Sequence, residues 1–159
     1  MTATLCLTLT ACKGAAGTSA EAKQPVELVA HECAACGMIV REQPSPRGQL
    51  VHKDGTRQFF CSVGDMVTYL TAPSPHGHVV NTWVEVQDAL ANPIAHDTTN
   101  QPWKPTANAT FVLGAKRPRI MGTPVLVYAG KELATKAAKQ HSGRTNTWAQ
   151  LRAALHKVQ

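Results

Sequence analysis

The segment HECAACGMIV, residues 31–40, places two cysteines, a histidine and a methionine close together along the chain. Cys36 and Met38 are separated by one glycine. In an extended segment, side chains two residues apart point to the same side, so both sulfurs can face one ion. A thiolate combined with a thioether favours soft Cu(I), because thioether sulfur is a poor zinc ligand. The spacing therefore predicts a Cu(I) site that includes Cys36 and Met38.

The pair Cys33 and Cys36 also has the spacing of redox motifs and of zinc sites. A thioredoxin-like motif needs a helix that opens at the cysteines, whereas Gly37 and the β-branched Ile39-Val40 disfavour one. A zinc knuckle needs a second Cys-x-x-Cys, which the chain lacks, although Cys61 and a histidine could complete four ligands. A thiol-disulfide oxidoreductase and a structural zinc site remain as alternatives.

The N-terminus is an uncharged, largely apolar run that ends in Leu9-Thr10-Ala11-Cys12. Small residues before a cysteine at this place are typical of a bacterial lipoprotein signal. We therefore expect a signal peptide over residues 1–11, a lipid on Cys12 and a flexible tether over residues 12–26. The mature domain then lies on the periplasmic face of a membrane, where thiols can be oxidised. It retains Cys33, Cys36 and Cys61.

The net charge of +6 is unevenly distributed. Residues 1–100 contain six Lys and Arg against nine Asp and Glu, a net charge of −3, and residues 101–159 contain ten against one, a net charge of +9. Nucleic acid is not expected as a partner of a lipoprotein outside the cytoplasm. The basic second part instead indicates an acidic protein partner, an anionic lipid surface or a basic face that is only solvated.

A strand-then-helix pattern occurs twice, and each copy is followed by the tripeptide Asn-Thr-Trp, at residues 81–83 and 146–148. In the first copy, LVHKDGTRQFF predicts a hairpin that turns at Asp54-Gly55. Ser62 and Asp65 have the spacing of a helix cap, and the second helix is expected over residues 131–140, ending at Ser142-Gly143. The final stretch has helical spacing at Leu151, Leu155 and Val158.

In order along the chain stand CAACGM, FFCSVGDM, a loop with Trp103, IMG and HSGR. This ordered set, over residues 31–150, resembles the NosL family, lipoprotein copper chaperones of nitrous oxide reductase maturation. The resemblance implies an α+β fold of two similar ββαβ halves, which agrees with the repeat. We expect a monomeric binding protein rather than an enzyme. Its partner would be the membrane transporter complex that matures the copper cluster of the reductase.

By position, the resemblance implies that Cu(I) is held by Cys36 and Met38, with Met121 of the later motif as a further ligand. Weaker candidates are Cys33, Cys61, His31 and His52. Cys33 and Cys61 could be alternate ligands, a protecting disulfide or buried small side chains. We place the first half at residues 27–92, a connecting loop at 93–108 and the second half at 109–159.

Overall fold

The computed structural model describes residues 21–88, 92, 95–117, 120 and 122–157. The signal peptide, Cys12, Met121 and Val158 lie outside these residues. The elements within them are β1 (Gly48–His52), β2 (Arg57–Phe60), α1 (Val63–Tyr69), β3 (Val79–Glu85), β4 (Trp103–Pro105), β5 (Thr110–Leu113), β6 (Val125–Tyr128), α2 (Lys131–Gln140), β7 (Arg144–Asn146) and α3 (Trp148–His156). No helix in this part of the chain is both long and apolar enough to cross a membrane.

The chain forms two antiparallel sheets, ordered β2-β1-β3-β4 and β6-β5-β7. Each half runs strand, strand, helix, strand, so the predicted α+β fold with two ββαβ halves is confirmed. The first hairpin turns at Gly55, whose φ of +88° suits glycine. The Ser62 side chain accepts a hydrogen bond of 3.0 Å from the Asp65 amide, as the cap spacing predicted.

The smaller sheet is buried on both faces. Along β5 and β6, side chains alternate between two cores. One face joins the main core with the first sheet, α1 and α3, through Phe111, Leu113, Val125 and Val127. The other face packs against α2 through Val112, Leu126 and Tyr128, which meet Ala134, Ala137 and Ala138. The main core therefore joins the two halves.

The matching Asn-Thr-Trp tripeptides are out of register in the structure, although the repeat that they suggested is real. Gln49 pairs with Trp83, and Phe111, at the equivalent position of the second half, pairs with Asn146. The last residue of the first tripeptide thus takes the place of the first residue of the second. This shift explains why the first tripeptide lies inside β3, whereas the second leads from β7 through the capping residue Thr147 into α3.

The stretch expected to be a connecting loop contains β4, which pairs with β3 and extends the first sheet. The prolines of this stretch had favoured a loop. Pro105, however, ends β4 and lies across from Trp83 at the edge of the sheet, where proline is tolerated. A buried ion pair outside the segment, in which Arg47 Nε lies 2.6 Å from Glu85 Oε2, positions the Arg47 guanidinium against the start of this stretch. Arg47 also donates hydrogen bonds to the carbonyl oxygens of Thr98 and Thr99.

The second predicted helix is confirmed over Lys131–Gln140, with one difference at its end. Ser142, not a glycine, takes the left-handed conformation, with φ of 54°. The Gly143 amide then donates to the Ala138 carbonyl oxygen at 2.9 Å, the backbone bond that closes a Schellman end. In α3, Leu151 and Leu155 are buried as their spacing predicted.

Candidate metal centre

The CAACGM segment folds into a tight turn that closes on itself. Glu32 and Ile39 form an antiparallel bridge, and the Cys33 amide donates to the Met38 carbonyl oxygen at 2.8 Å. Gly37 donates to the Cys33 carbonyl oxygen and has a φ of +75°. The segment is therefore a turn and not the extended segment in which Cys36 and Met38 were expected to share a side. Gly37, in the left-handed conformation, completes this turn, which the residue types alone did not reveal.

The turn leaves its sulfur-bearing side chains in different surroundings. Cys33 is only 3% exposed and belongs to the main core. Cys36 is exposed to solvent. Met38 is partly buried and packs against the main core. One thiol of the turn is thus anchored in the protein and another is accessible.

Strand β2 holds this turn against the start of α1. Cys33 forms a parallel bridge with Phe59, and the Ala34 amide donates to the Phe59 carbonyl oxygen at 2.9 Å. Cys61 comes directly after β2 and directly before the cap of α1. The docking therefore brings two cysteines of the turn beside a third from the strand-to-helix corner.

Cys33, Cys36 and Cys61 form a cluster whose three Sγ atoms all lie within 4.8 Å of one another. All three are free thiols, and Cys36 Sγ lies 3.4 Å from Cys61 Sγ. Three sulfurs around one ion at about 2.3 Å in a plane would stand about 4 Å apart. The cluster therefore has the size and softness to hold a thiophilic ion with little movement.

The hydrogen bonds within the cluster separate the proton affinities of its two buried thiols. The hydrogen bond from Cys61 lowers the pKa of Cys33 to about 5, and backbone amides of Cys61, Ala35 and Cys36 act in the same direction against the effect of burial. The same hydrogen bond, with burial, raises the pKa of Cys61. Cys33 therefore loses its proton readily, whereas Cys61 retains its proton. A ready thiolate is the form that binds metal.

Asp65 links the cluster to a second loop. Its Oδ2 lies 3.4 Å from Cys61 Sγ. Gly122 packs so closely on the same carboxylate that a Cβ there would collide with Oδ1, and its φ of +67° also favours glycine. A Cβ on Gly64 would likewise collide with the Thr123 carbonyl oxygen. The residues that directly follow Met121 in sequence therefore pack on the first turn of α1, beside Cys61.

The two candidate histidines are not part of the three-sulfur group. His31 stacks on Phe59 with ring centroids 3.8 Å apart, and burial, with a contribution from Arg57, lowers its pKa. His52 is buried, with Nδ1 2.9 Å from the Gly77 carbonyl oxygen and Nε2 3.0 Å from the Tyr69 hydroxyl. Both nitrogens of His52 already have partners, so a metal would have to break a hydrogen bond there.

The geometry agrees with the comparisons with known proteins. A family model described as NosL matches residues 25–156. The chain belongs to the NosL family. It is 29% identical over 153 residues to the copper-binding lipoprotein NosL of Stutzerimonas stutzeri, covering 87% of this chain and 73% of that protein.

A solved NosL structure shares the fold. The crystal structure of the copper chaperone NosL from Shewanella denitrificans superposes with a TM-score of 0.68 at 25% identity, covering 80% of this chain and 95% of the other. These relatives are named as a copper-binding lipoprotein and a copper chaperone, and neither name is that of an enzyme. The resemblance to NosL and the expectation of a binding protein are therefore confirmed.

Asp65 is the residue of this NosL site that the sequence did not single out for chemistry. Its spacing from Ser62 identified it only as part of a helix cap. The signal that could have found it is the cap's position, since Ser62 directly follows Cys61 and the first turn of α1 must lie beside that thiol.

Proposed function

We propose that this protein is a lipid-anchored Cu(I) metallochaperone on the periplasmic face of a bacterial membrane. It delivers copper for assembly of the copper cluster of nitrous oxide reductase, through the membrane transporter complex that matures that enzyme. Copper is the cargo of the protein rather than a resident cofactor.

The observation that carries this proposal is the three-thiol cluster with one exposed member. Soft sulfur ligands favour Cu(I), and in the described part of the chain the group of mutually close ligand atoms consists of the three thiols, with the Asp65 carboxylate in contact with Cys61 alone. Cys33 is available as a thiolate because its pKa lies at about 5. The exposed Cys36 is where a partner's sulfur would enter.

Cys36, Met38 and Met121 remain the predicted ligand set, with Cys33 and Cys61 as neighbouring sulfurs. The packing of Gly122 on Asp65 supports a role for Met121, because it holds the adjacent loop beside Cys61. Transfer would proceed by ligand exchange, in which a sulfur of the recipient replaces one protein sulfur before the others leave. A lipid on Cys12 would confine this exchange to the membrane surface and raise the effective concentration of both partners.

The test is anaerobic Cu(I) titration against a competing chelator, with the wild type and with Cys36→Ser, Met38→Leu and Met121→Leu. Removing a sulfur ligand should weaken Cu(I) binding by about tenfold or more in each variant. The matched control is Met66→Leu, since Met66 is fully buried in the main core and its sulfur packs against Gly48 of β1. Unchanged Cu(I) affinity in all three ligand variants would refute the assignment.

A thiol-disulfide oxidoreductase is the second candidate, favoured by the lowered pKa of Cys33. The reactive thiol of such an enzyme must be reached by a substrate disulfide, whereas Cys33 is 3% exposed. Alkylation of the metal-free protein across pH separates the two functions. Rapid modification of Cys33 near neutral pH would favour the oxidoreductase, and slow modification would favour the chaperone.

A further inference from the structure

A groove lies at the end of α1 that is away from the cysteines. Three adjoining cavities, with volumes of about 310, 500 and 410 Å³, share Leu70 and Arg152 in their walls. Leu70 follows α1, and Arg152 projects from α3, so the groove runs between the two halves. We call this surface the Arg152 groove.

The lining of the Arg152 groove combines apolar and uncharged polar side chains with one arginine. Its apolar walls include Leu70, Val80 and Trp148, and Val80 is 45% exposed. Arg152 is exposed and makes no ion pair with any carboxylate in the described residues. None of the described residues that line the three cavities is acidic, and the other ionisable groups are histidines. The groove thus offers an unneutralised guanidinium among apolar side chains.

This chemistry selects one occupant over the others. The part of the tether that precedes the described residues, KGAAGTSA at 13–20, contains a lysine and no acid, so it does not complement Arg152. A lipid surface is met best by several lysines on a convex face, whereas the groove is concave and holds a single arginine. A protein segment with a carboxylate beside large apolar residues satisfies both parts of the lining.

We propose that the Arg152 groove binds an acidic, apolar-flanked segment of a partner protein. A carboxylate of the segment pairs with the Arg152 guanidinium, and its apolar neighbours cover Leu70, Val80 and Trp148. The unbalanced charge of residues 101–159, ten basic residues against one acidic, favours the approach of an acidic segment to the protein as a whole.

The Arg152 groove lies close to the cysteine cluster. Cys61 and the groove lie at opposite ends of α1, a helix of seven residues and hence about 10 Å long. A partner held in the groove would be close enough to reach the exposed Cys36. That the partner is the copper recipient rests on the proposed function, whereas binding of the segment does not.

The test is fluorescence anisotropy with the labelled peptide LEDLFEDL and the purified full chain. The acidic peptide should bind, and its amide counterpart LQNLFQNL should bind about tenfold more weakly, because it lacks the carboxylates that pair with arginine. Arg152→Glu should weaken the acidic peptide by about tenfold or more. Val80→Ser should weaken both peptides by about threefold, since it removes exposed apolar area.

The control is Lys136→Glu, which makes the same change of charge on the exposed face of α2. Equal losses in Arg152→Glu and Lys136→Glu would overturn the proposal in favour of general electrostatics. Binding of phosphatidylglycerol vesicles through Arg152 without peptide binding, or a dimer dissociated by Arg152→Glu, would overturn it in favour of lipid or of a second copy. Cu(I) affinity, measured in parallel, should be unchanged in Arg152→Glu, so this test fails independently of the metal site.

Discussion

The two halves build the same strand-to-helix corner from different residues. In the first half, β2 leads through Phe60, Cys61 and Ser62 into α1. In the second, β6 leads through Tyr128, Ala129 and Gly130 into α2. Ala129 therefore occupies, in the second half, the position that Cys61 occupies in the first. Ala129 is exposed whereas Cys61 is buried, and the second corner forms without a sulfur, so the sulfur of Cys61 is available for chemistry.

The halves also differ in how they hold their strands together. The first half has a buried ion pair between Arg47 and Glu85, with both side chains fully buried. In the second half, the buried Ala109 stands directly before β5, as Arg47 stands before β1, and the layer beneath α2 is built largely from valine, leucine and alanine. The buried ion pair and the described thiol cluster both lie in the first half, whereas the layer beneath α2 in the second half is largely apolar.

The largest expected effect breaks the ion pair of the first half. Glu85→Gln leaves the Arg47 guanidinium buried without a counter-charge, which should cost about 3–5 kcal/mol in the free energy of unfolding. Urea denaturation followed by circular dichroism measures it. The double variant Arg47→Met with Glu85→Leu should recover part of the loss, because neither charge is then buried. A loss below about 1 kcal/mol for Glu85→Gln would mean that water reaches Arg47.

The next largest effect should fall on copper rather than on the fold. Cys61→Ala makes the first corner resemble the second, so the circular dichroism spectrum should be unchanged. Loss of one sulfur from the cluster should weaken Cu(I) binding by about tenfold or more. Competitive titration measures it. Ala129→Cys, the reverse exchange, should leave the stoichiometry at its wild-type value, because the second half has no other cysteine to share an ion.

The sequence predicted the fold better than it predicted the shape of the site. The hairpin at Gly55, the cap at Ser62 and the helix over Lys131–Gln140 are set by residues close together in the chain, and all three are confirmed. Register between strands depends on distant partners, which is why the tripeptide at Asn146 aligned wrongly with the one ending at Trp83.

The shape of the site likewise depends on contacts between residues that are far apart in the chain. The Cys-x-x-Cys spacing identified two cysteines, but only the bridge between Cys33 and Phe59 brings them to Cys61. Cys33, whose role the residue types left open, is a buried thiol supported by backbone amides. The turn at Gly37 could not be read from spacing because glycine allows both extended and left-handed backbone.

A smaller effect concerns the titration of the Cys33 thiol in the first half. Because the pKa of Cys33 is lowered to about 5, its thiolate should be present above that pH and lost as the pH falls through it. Ultraviolet thiolate absorbance of the metal-free Cys36→Ser protein measures this titration. Adding Cys61→Ala removes the hydrogen bond that lowers the pKa, so the titration should move toward the ordinary range of a thiol. If both variants titrate alike, Cys61 does not donate to Cys33.

The smallest expected effect exchanges the helix caps of the two corners. Ser62→Ala removes the side chain that accepts from the Asp65 amide and should cost about 1 kcal/mol in the free energy of unfolding. Gly130 begins α2 without a side-chain cap, at φ −139° and ψ 152°, and a Cβ there would meet nothing within 4 Å. Gly130→Ser should therefore stabilise the protein by about 0.3 kcal/mol. Chemical denaturation measures both. If Ser62→Ala also weakens Cu(I) binding while Gly130→Ser changes stability alone, the first cap fixes Asp65 and Cys61 in place, and its serine serves the sulfur cluster as well as the helix.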